Sequence, residues 1–295
     1  MLFAVLSSAY LLSCGSPKNE QAPSLKEAYN EKFLIGTALN AGHNYGRDTL
    51  GLNVITHHFN SIVAENCMKS MHLQPTEGVF FFDEADQFIQ FGEENHMHIV
   101  GHTLIWHSQA PDWFFSDEKG DDVTREVLIE RMRNYIHTVV GRYKGRVDGW
   151  DVVNEAIMED GSYRKSKFYE ILGEEFIPLA FQYAQEADPE AELYYNDYNE
   201  WYPEKRKTVV RLIKTLKERG IRIDGIGLQA HVGMTNPTID IYRETINEYA
   251  NAGVKVLVTE FDLSPLPEPR RMGGANLGDR EAYRKEIDPY TNGLP

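Results

Sequence analysis

VDGWDVVNEA, residues 147–156, begins with large apolar residues and ends in polar ones. Trp150 and Val153 are bulky or β-branched, as is typical of a strand buried on both faces of a parallel sheet. Asn154 and Glu155 follow them directly. In parallel α/β folds, functional side chains collect at the carboxyl ends of the strands. The stretch therefore predicts a buried strand that delivers an amide and a carboxylate to a site.

Six further segments share this apolar, β-branched character, and helix-like segments separate them. The candidate strands are FLIGTAL (33–39), FNSIVAEN (59–66), HIVGHTLIWH (98–107), ELYYNDY (192–198), GIGLQAHV (225–232) and KVLVTEFD (255–262). Apolar residues at helical spacing mark 124–143, 174–187, 203–220 and 239–253. This alternation predicts a parallel sheet covered by helices, and the lack of a GxGxxG turn favours a barrel over a dinucleotide-binding fold. The predicted fold class is α/β, a (β/α)8 TIM barrel.

The segment after Glu260 does not supply an eighth unit of this kind. It is rich in proline, glycine and charged residues and reads as a long loop. We therefore expect the eighth β/α unit to be missing from this chain. The catalytic domain would then occupy residues 25–295 and be incomplete at its C-terminus.

The N-terminal sequence predicts an export signal followed by a polar tether. MLFAVLSSAYLLSC, residues 1–14, is apolar but too short to span a bilayer. Its last four residues resemble a bacterial lipoprotein signal in which Cys14 is lipidated; an ordinary secretory signal peptide is the alternative. Residues 15–24 read as a polar tether. We expect an exported protein, either a lipoprotein of the bacterial cell envelope (at the outer membrane or facing the periplasm) or a secreted one. Cys67 would be its single remaining thiol, which excludes an intrachain disulfide.

The charge of the chain narrows the classes of partner. The formal net charge is −15, which argues against nucleic acid and against a polybasic membrane-binding patch. A neutral substrate such as a carbohydrate is indifferent to this charge. We therefore expect no nucleic-acid partner, and contact with a membrane only through the lipid anchor.

Six of the seven predicted strands end in hydrogen-bonding or ionisable residues. Two of these ends carry glutamates on well-separated strands, Glu155 and Glu260. Glycoside hydrolysis needs such a pair of carboxyl groups, one protonated and one ionised. A metal-dependent hydrolase is an alternative, because histidines also line the ends. However, no HxH pair ends the first strand, and His102 and His107 lack ligand-type spacing. We expect neither a metal nor another cofactor.

Six motifs in order resemble those of glycoside hydrolase family 10. They are FNSIVAEN-x-MK, GHTLIWHSQ-x-PxW, WDVVNEA followed by DGS-x-R, YYNDYN, GIGLQAH and VTEFD. The family consists chiefly of endo-β-1,4-xylanases on a (β/α)8 barrel that act with retention. The resemblance implies that Glu155 is the general acid/base and Glu260 the nucleophile, with carboxyl groups about 5–5.5 Å apart.

The resemblance also implies roles for neighbouring residues. His231 and Asp262 would flank Glu260, with the histidine bridging the two carboxylates. Asn154 would bind the 2-hydroxyl of the sugar being cleaved, Gln229 would lie near that sugar, and Tyr198 would contact the aglycone side. The glycone-binding groups would be Glu65, Asn66, Lys69, His102, Trp106 and Gln109.

Other aromatic residues and histidines have structural interpretations. Trp150 and Trp113 are expected to pack in the core or in a loop, and His107 is expected to be structural.

The sequence therefore predicts a monomeric endo-β-1,4-xylanase that acts on xylan or xylo-oligosaccharides. One alternative is a truncated, inactive glycan-binding lipoprotein. Another is a β-1,4-glycanase or cellobiohydrolase-type activity on the same scaffold. Glu155 and Glu260 are both present, which favours an enzyme, because a binding module needs neither.

Overall fold

The computed structural model describes residues 23–264. The predicted signal segment, Cys14 and most of the tether lie outside the described residues. The segment after residue 264, to which the prediction of a missing eighth unit refers, lies outside them as well.

Seven parallel strands form a single curled sheet in which each strand pairs with its neighbours along the chain. Two short parallel strands, at residues 231–233 and 262–264, pair in a second sheet. The strands are β1 (Gly36–Leu39), β2 (Ser61–Ala64), β3 (His98–Trp106), β4 (Gly149–Asn154), β5 (Glu192–Asp197), β6 (Gly225–Leu228), β7 (His231–Gly233), β8 (Lys255–Val258) and β9 (Asp262–Ser264). In residues 23–264 the large sheet runs β1-β2-β3-β4-β5-β6-β8, with β1 and β8 at its edges. This order confirms the (β/α) barrel class.

The predicted strand at 225–232 is divided in the structure. Its first part is β6 and its last part is β7, and Ala230 between them has a left-handed φ of 62°. A strand cannot continue through this conformation, and a non-glycine residue adopts it only when neighbours hold it there. The interruption turns His231 out of the large sheet.

Helices connect the strands and cover the outer face. They are α1 (Leu25–Ala28), α2 (Ala41–Asn44), α3 (Thr49–His58), α4 (Ser70–Leu73), α5 (Asp83–Glu94), α6 (Arg125–Arg142), α7 (Lys167–Leu172), α8 (Phe176–Ala187), α9 (Pro203–Glu218) and α10 (Ile239–Asn251). The four predicted helices are confirmed as α6, α8, α9 and α10. Pro203 opens α9, where its missing N–H and fixed φ are tolerated. Across residues 23–264, none of these helices is both long enough and apolar enough to cross a membrane.

The core lies between this sheet and its helices, and β4 runs through it. All six residues of β4 are buried, as the sequence predicts for a strand that is apolar on both faces. Trp150 is fully buried, and a Cβ on Gly101 of β3 would lie 2.3 Å from its ring. Trp113 is partly buried against the core and donates a hydrogen bond to the carbonyl of Gln74 (2.7 Å). Both tryptophans therefore pack structurally, as predicted.

Candidate active site

The two predicted glutamates follow the carboxyl ends of two strands of the same sheet. Glu155 comes directly after β4, and Glu260 comes two residues after β8. The ends of parallel strands share one edge of the sheet, so both carboxylates face the same mouth. Their side chains are 15% and 32% exposed, which leaves each within reach of a bound molecule.

A chain of side-chain amides joins the two carboxylates. Oε1 of Glu155 accepts hydrogen bonds from Nε2 of Gln229 (3.0 Å) and from Nδ2 of Asn154 (3.3 Å). Oδ1 of Asn154 accepts from Nδ2 of Asn196 (3.1 Å), and the same nitrogen donates to Oε1 of Glu260 (2.9 Å). Asn154 and Asn196 are partners in register on β4 and β5. The network fixes the position of each glutamate relative to the other.

Glu260 is held in an ionic arrangement with His231 and Asp262. Nε2 of His231 lies 3.3 Å from Oε2 of Glu260, and Nδ1 lies 2.8 Å from Oδ2 of Asp262. Burial opposes the charged imidazole, but hydrogen bonds to the two carboxylates outweigh it and raise the pKa of His231 to about 9. Burial alone would raise the pKa of Glu260, yet His231, His102 and Asn196 together lower it. The arrangement holds Glu260 ionised.

Glu155 has a different environment. Its φ is 57°, a left-handed value that a non-glycine residue seldom adopts. Nδ1 of His107, which the sequence predicts to be structural, lies 3.9 Å from Oε2 of Glu155, so its ring faces the site. Burial first, and then the positive charge of Arg164, lower the pKa of His107 to about 4. The imidazole beside Glu155 is therefore neutral over most of the pH range.

Four of the six predicted glycone-side residues form one contact group. Nζ of Lys69 donates to Oδ1 of Asn66 (2.9 Å) and lies 4.9 Å from the ring centroid of Trp106. Nδ2 of Asn66 donates to Oε1 of Glu65 (3.2 Å). Lys69 is 9% exposed, and burial lowers the pKa of its ammonium group although nearby carboxylates act in the opposite direction. The group presents polar atoms beside an indole ring, which suits a sugar.

His102 and Gln109 are placed through contacts of their own. Nδ1 of His102 lies 2.8 Å from Oδ2 of Asp151, and these two buried residues are in register on β3 and β4. Burial would lower the pKa of His102, but Asp151 outweighs it and raises that pKa. The backbone carbonyl of Gln109 accepts hydrogen bonds from the Met71 amide (3.0 Å) and the Ser70 hydroxyl (3.4 Å).

Tyr198 lies just beyond β5 and contacts an arginine that the prediction did not include. Its hydroxyl accepts a hydrogen bond from a terminal nitrogen of Arg164 (2.6 Å). Arg164 belongs to the DGS-x-R motif, whose role the sequence did not reveal.

Asn196 was also missing from the predicted site. Its place at the end of β5, matching Asn154 at the end of β4, is the signal that could have identified it.

In the part of the chain that the structure describes, no group of three or more His, Cys, Asp or Glu side chains is arranged to hold a metal ion. The geometry offers two carboxylates, one held ionised by a cationic histidine and one that accepts hydrogen bonds from the neutral amides of Asn154 and Gln229. Such a pair can carry out acid/base and nucleophilic chemistry on a neutral substrate.

Comparison with known proteins points to one family. The glycosyl hydrolase family 10 model matches residues 24–288. An endo-1,4-β-xylanase A from Xylanibacter ruminicola is 48% identical over 275 residues, covering 93% of this chain and 74% of that relative. The solved structure of a GH10 endoxylanase from a sugarcane soil metagenome has a TM-score of 0.86 at 43% identity, covering 92% of this chain and 79% of that one. A mutant of an intracellular xylanase from Thermoanaerobacterium saccharolyticum, solved with xylotriose, has a TM-score of 0.77 at 39% identity, covering 83% and 78%.

Proposed function

Because the chain belongs to glycosyl hydrolase family 10, we propose that Glu155 and Glu260 together hydrolyse internal β-1,4-xylosidic bonds with retention of configuration. The protein is a glycoside hydrolase, and its function is that of an endo-1,4-β-xylanase. Xylan and xylo-oligosaccharides are its substrates.

In the first step, Glu260 acts as the nucleophile. Its carboxylate attacks the anomeric carbon while the bond from that carbon to the leaving oxygen breaks. Glu155 gives its proton to this oxygen, so the leaving sugar departs as a neutral alcohol and a glycosyl ester forms on Glu260. The hydrogen bonds from His231 and Asn196 support the ionised state that the attack requires.

In the second step, Glu155 acts as the base. It takes a proton from a water molecule whose oxygen attacks the anomeric carbon and displaces Glu260. The proton lost in the first step is thereby restored. Gln229 and Asn154 give Glu155 only neutral donors, which suits a group that must carry a proton in one step and lose it in the next.

One observation carries this proposal. Glu155 and Glu260 stand at two strand ends of a family 10 chain and share a continuous amide network through Asn154 and Asn196. Of these two glutamates, Glu260 alone has a cationic side chain at hydrogen-bonding distance from its carboxylate, among the residues that the structure describes.

The test is release of reducing ends from xylan by the purified protein and its Glu155→Ala and Glu260→Ala variants. We expect both variants to lose nearly all activity, while Glu93→Ala, on the surface beside Arg146, retains it. On an aryl β-xylobioside with a dinitrophenyl leaving group, which departs without a proton, sodium azide should rescue each variant with a different product. Glu155→Ala should give the retained glycosyl azide and Glu260→Ala the inverted one. Unchanged release by Glu260→Ala would contradict the nucleophile assignment.

The same assays separate the alternatives. A glycan-binding protein without activity would bind xylan and release no reducing ends in any variant. A β-1,4-glycanase of cellobiohydrolase type would show a higher kcat/KM on aryl β-cellobiosides than on aryl β-xylobiosides. We expect the opposite ratio.

We also propose that the protein is exported, acts as a monomer and is anchored by a lipid on Cys14, with residues Leu11–Cys14 as the supporting sequence. Labelling with radioactive palmitate in a bacterial host tests the anchor. Wild type and Cys67→Ala should incorporate the label and sediment with membranes, whereas Cys14→Ala should not. Cys67 is a matched control because it is a buried thiol. Unlabelled, soluble wild-type protein would indicate an ordinary secretory signal instead.

A further inference from the structure

The turn that carries Glu155 is an unusual piece of backbone. Glu155 has a left-handed φ of 57° directly after β4. Such a conformation in a non-glycine residue persists only when the surrounding structure determines it. Whatever holds this turn therefore also decides where the carboxylate points.

Hydrogen bonds to β5 hold the amide side of the turn. The N–H of Glu155 donates to the carbonyl of Asn196 (2.9 Å). The N–H of Ala156 donates to the hydroxyl of Tyr195 (3.1 Å), and the N–H of Ile157 donates to Oδ2 of Asp197 (3.3 Å). These contacts fix three successive amides.

Arg164 holds the carbonyl side. Its Nε donates to the carbonyl oxygen of Glu155 (2.8 Å), and its own N–H donates to the carbonyl of Ala156 (2.8 Å). The same guanidinium donates from a terminal nitrogen to the hydroxyl of Tyr198 (2.6 Å). One side chain thus contacts both the backbone of the acid/base residue and the ring expected on the aglycone side.

The DGS-x-R motif forms the hairpin that places Arg164 next to the backbone of Glu155. Residues 157–163 form a tight hairpin closed by an antiparallel bridge between Ile157 and Tyr163. Gly161 at its tip has a φ of 80°, and a Cβ there would lie 2.7 Å from the carbonyl oxygen of Glu204. Glycine is therefore required for the hairpin to rest on α9. The chain then returns beneath Glu155.

The charge of Arg164 also acts on His107, the imidazole beside that carboxylate. His107 lies beside Glu155, and Arg164 and Asp197 are the other charged groups that act on it. Burial and the positive charge of Arg164 lower the pKa of His107 to about 4, and Asp197 acts in the opposite direction. His107 is therefore a neutral neighbour of Glu155 at neutral pH.

We propose that Arg164 is a positioning residue that holds Glu155 for proton transfer to the leaving sugar and couples it to the aglycone-side Tyr198. The inference rests on the proposed function, because it assigns a task within the same reaction. It concerns protonation of the leaving group, so its effect must depend on how much that group needs a proton.

The experiment measures kcat/KM for aryl β-xylobiosides with leaving groups from 2,4-dinitrophenol to unsubstituted phenol. In Arg164→Met we expect roughly tenfold or greater loss for the phenyl substrate and less than about threefold for the dinitrophenyl substrate, which departs without a proton. Arg164→Lys should lie between. The matched control is Arg146→Met, an arginine in a surface ion pair with Glu93, whose dependence on the leaving group should equal that of wild type.

Tyr198→Phe provides a test that a misfolded arginine variant cannot obscure. It removes the hydroxyl alone, and we expect a smaller loss with the same dependence on the leaving group. If Arg164 couples the two groups, the losses from Arg164→Lys and Tyr198→Phe will be less than multiplicative in the double variant. An equal loss on every leaving group, or strictly independent losses, would overturn the proposal. Wild type that hydrolyses none of these xylobiosides would instead overturn the proposed function.

Discussion

The turn after β4 and the turn after β8 each carry one of the two glutamates, but they differ in burial and in charge. Glu155 is 15% exposed, its carboxylate accepts hydrogen bonds from two amides, and the histidine beside it is neutral. Glu260 is 32% exposed and lies against a histidine whose pKa is about 9. Asp262, which completes that ion pair, is 52% exposed.

The two surroundings suit the two different roles proposed for these glutamates. A group that exchanges a proton in each step needs a precise position and no fixed counter-charge. A nucleophile needs to remain ionised, and a cationic neighbour achieves this even when burial opposes it. Hydrogen bonds to its backbone fix the position of Glu155, and the positive charge of His231 keeps Glu260 ionised.

The largest loss of activity is expected when the cation beside Glu260 is removed. In His231→Gln we expect kcat/KM on xylobiosides to fall by about 10²–10³, the effect typical of losing one preorganised donor to a reacting group. The loss should be the same for dinitrophenyl and phenyl leaving groups, because the nucleophile attacks in both cases. Kinetics with the aryl β-xylobioside series measure both quantities.

The control for that variant is His57→Gln, an exposed histidine on α3. It should leave kcat/KM unchanged. Activity of His231→Gln within threefold of wild type would mean that Glu260 does not depend on the ion pair. A loss confined to poor leaving groups would assign His231 to the acid/base side instead.

A second test concerns the support beneath Glu155. Nζ of Lys205 lies 2.7 Å from Oδ1 of Asp197, and both side chains are fully buried. Lys205→Met leaves the carboxylate without its partner, and we expect a loss of about 3–5 kcal/mol in the free energy of unfolding. Urea denaturation measures it. Lys207→Met, which breaks an exposed pair with Glu204, should change stability by less than about 0.5 kcal/mol.

The double variant Lys205→Met with Asp197→Asn tests whether the two charges stabilise the protein as a pair. It removes both charges, so it should be less destabilised than the sum of the two single variants. Additive losses would show that the pair does not act as a unit. The pair that contacts Glu260 directly, His231 with Asp262, is more exposed, since Asp262 is half exposed.

The sequence predicted the sheet and both glutamates because their signals are local. Near-continuous apolar runs such as the one at Trp150 mark buried parallel strands, and polar residues directly after them mark the mouth. His107 and Arg164 could not be assigned in this way. His107 is the residue after a strand, where a side chain can face either way, and Arg164 reaches Glu155 only through a hairpin pinned at Gly161. Tertiary packing, and not the local sequence, decides the direction that such a hairpin takes and therefore the residues it contacts.

A third prediction concerns the pH dependence of stability. Folding raises the pKa of His231 from 6.5 to about 9, so the folded protein binds this proton more tightly. Its contribution to stability is therefore fully present below about pH 6.5 and is lost as the pH rises through about 9. Urea unfolding of wild type and His231→Gln across this range should show two curves that converge at alkaline pH. Parallel curves would contradict the raised pKa.

The smallest effect is expected at His107, and it tests the neutral side of the comparison directly. NMR titration should show that His107 stays neutral until the pH falls to about 4, whereas His231 stays charged up to about 9. His107→Gln should lower kcat/KM at neutral pH by less than about fivefold, since a neutral contact of this kind contributes about 1 kcal/mol or less. In Arg164→Met the midpoint of His107 should rise, because the repulsion from the guanidinium is lost while burial remains. A midpoint near 6.5 in wild type would place a cation beside both glutamates at mildly acidic pH, and the division of tasks would then have to rest on position alone.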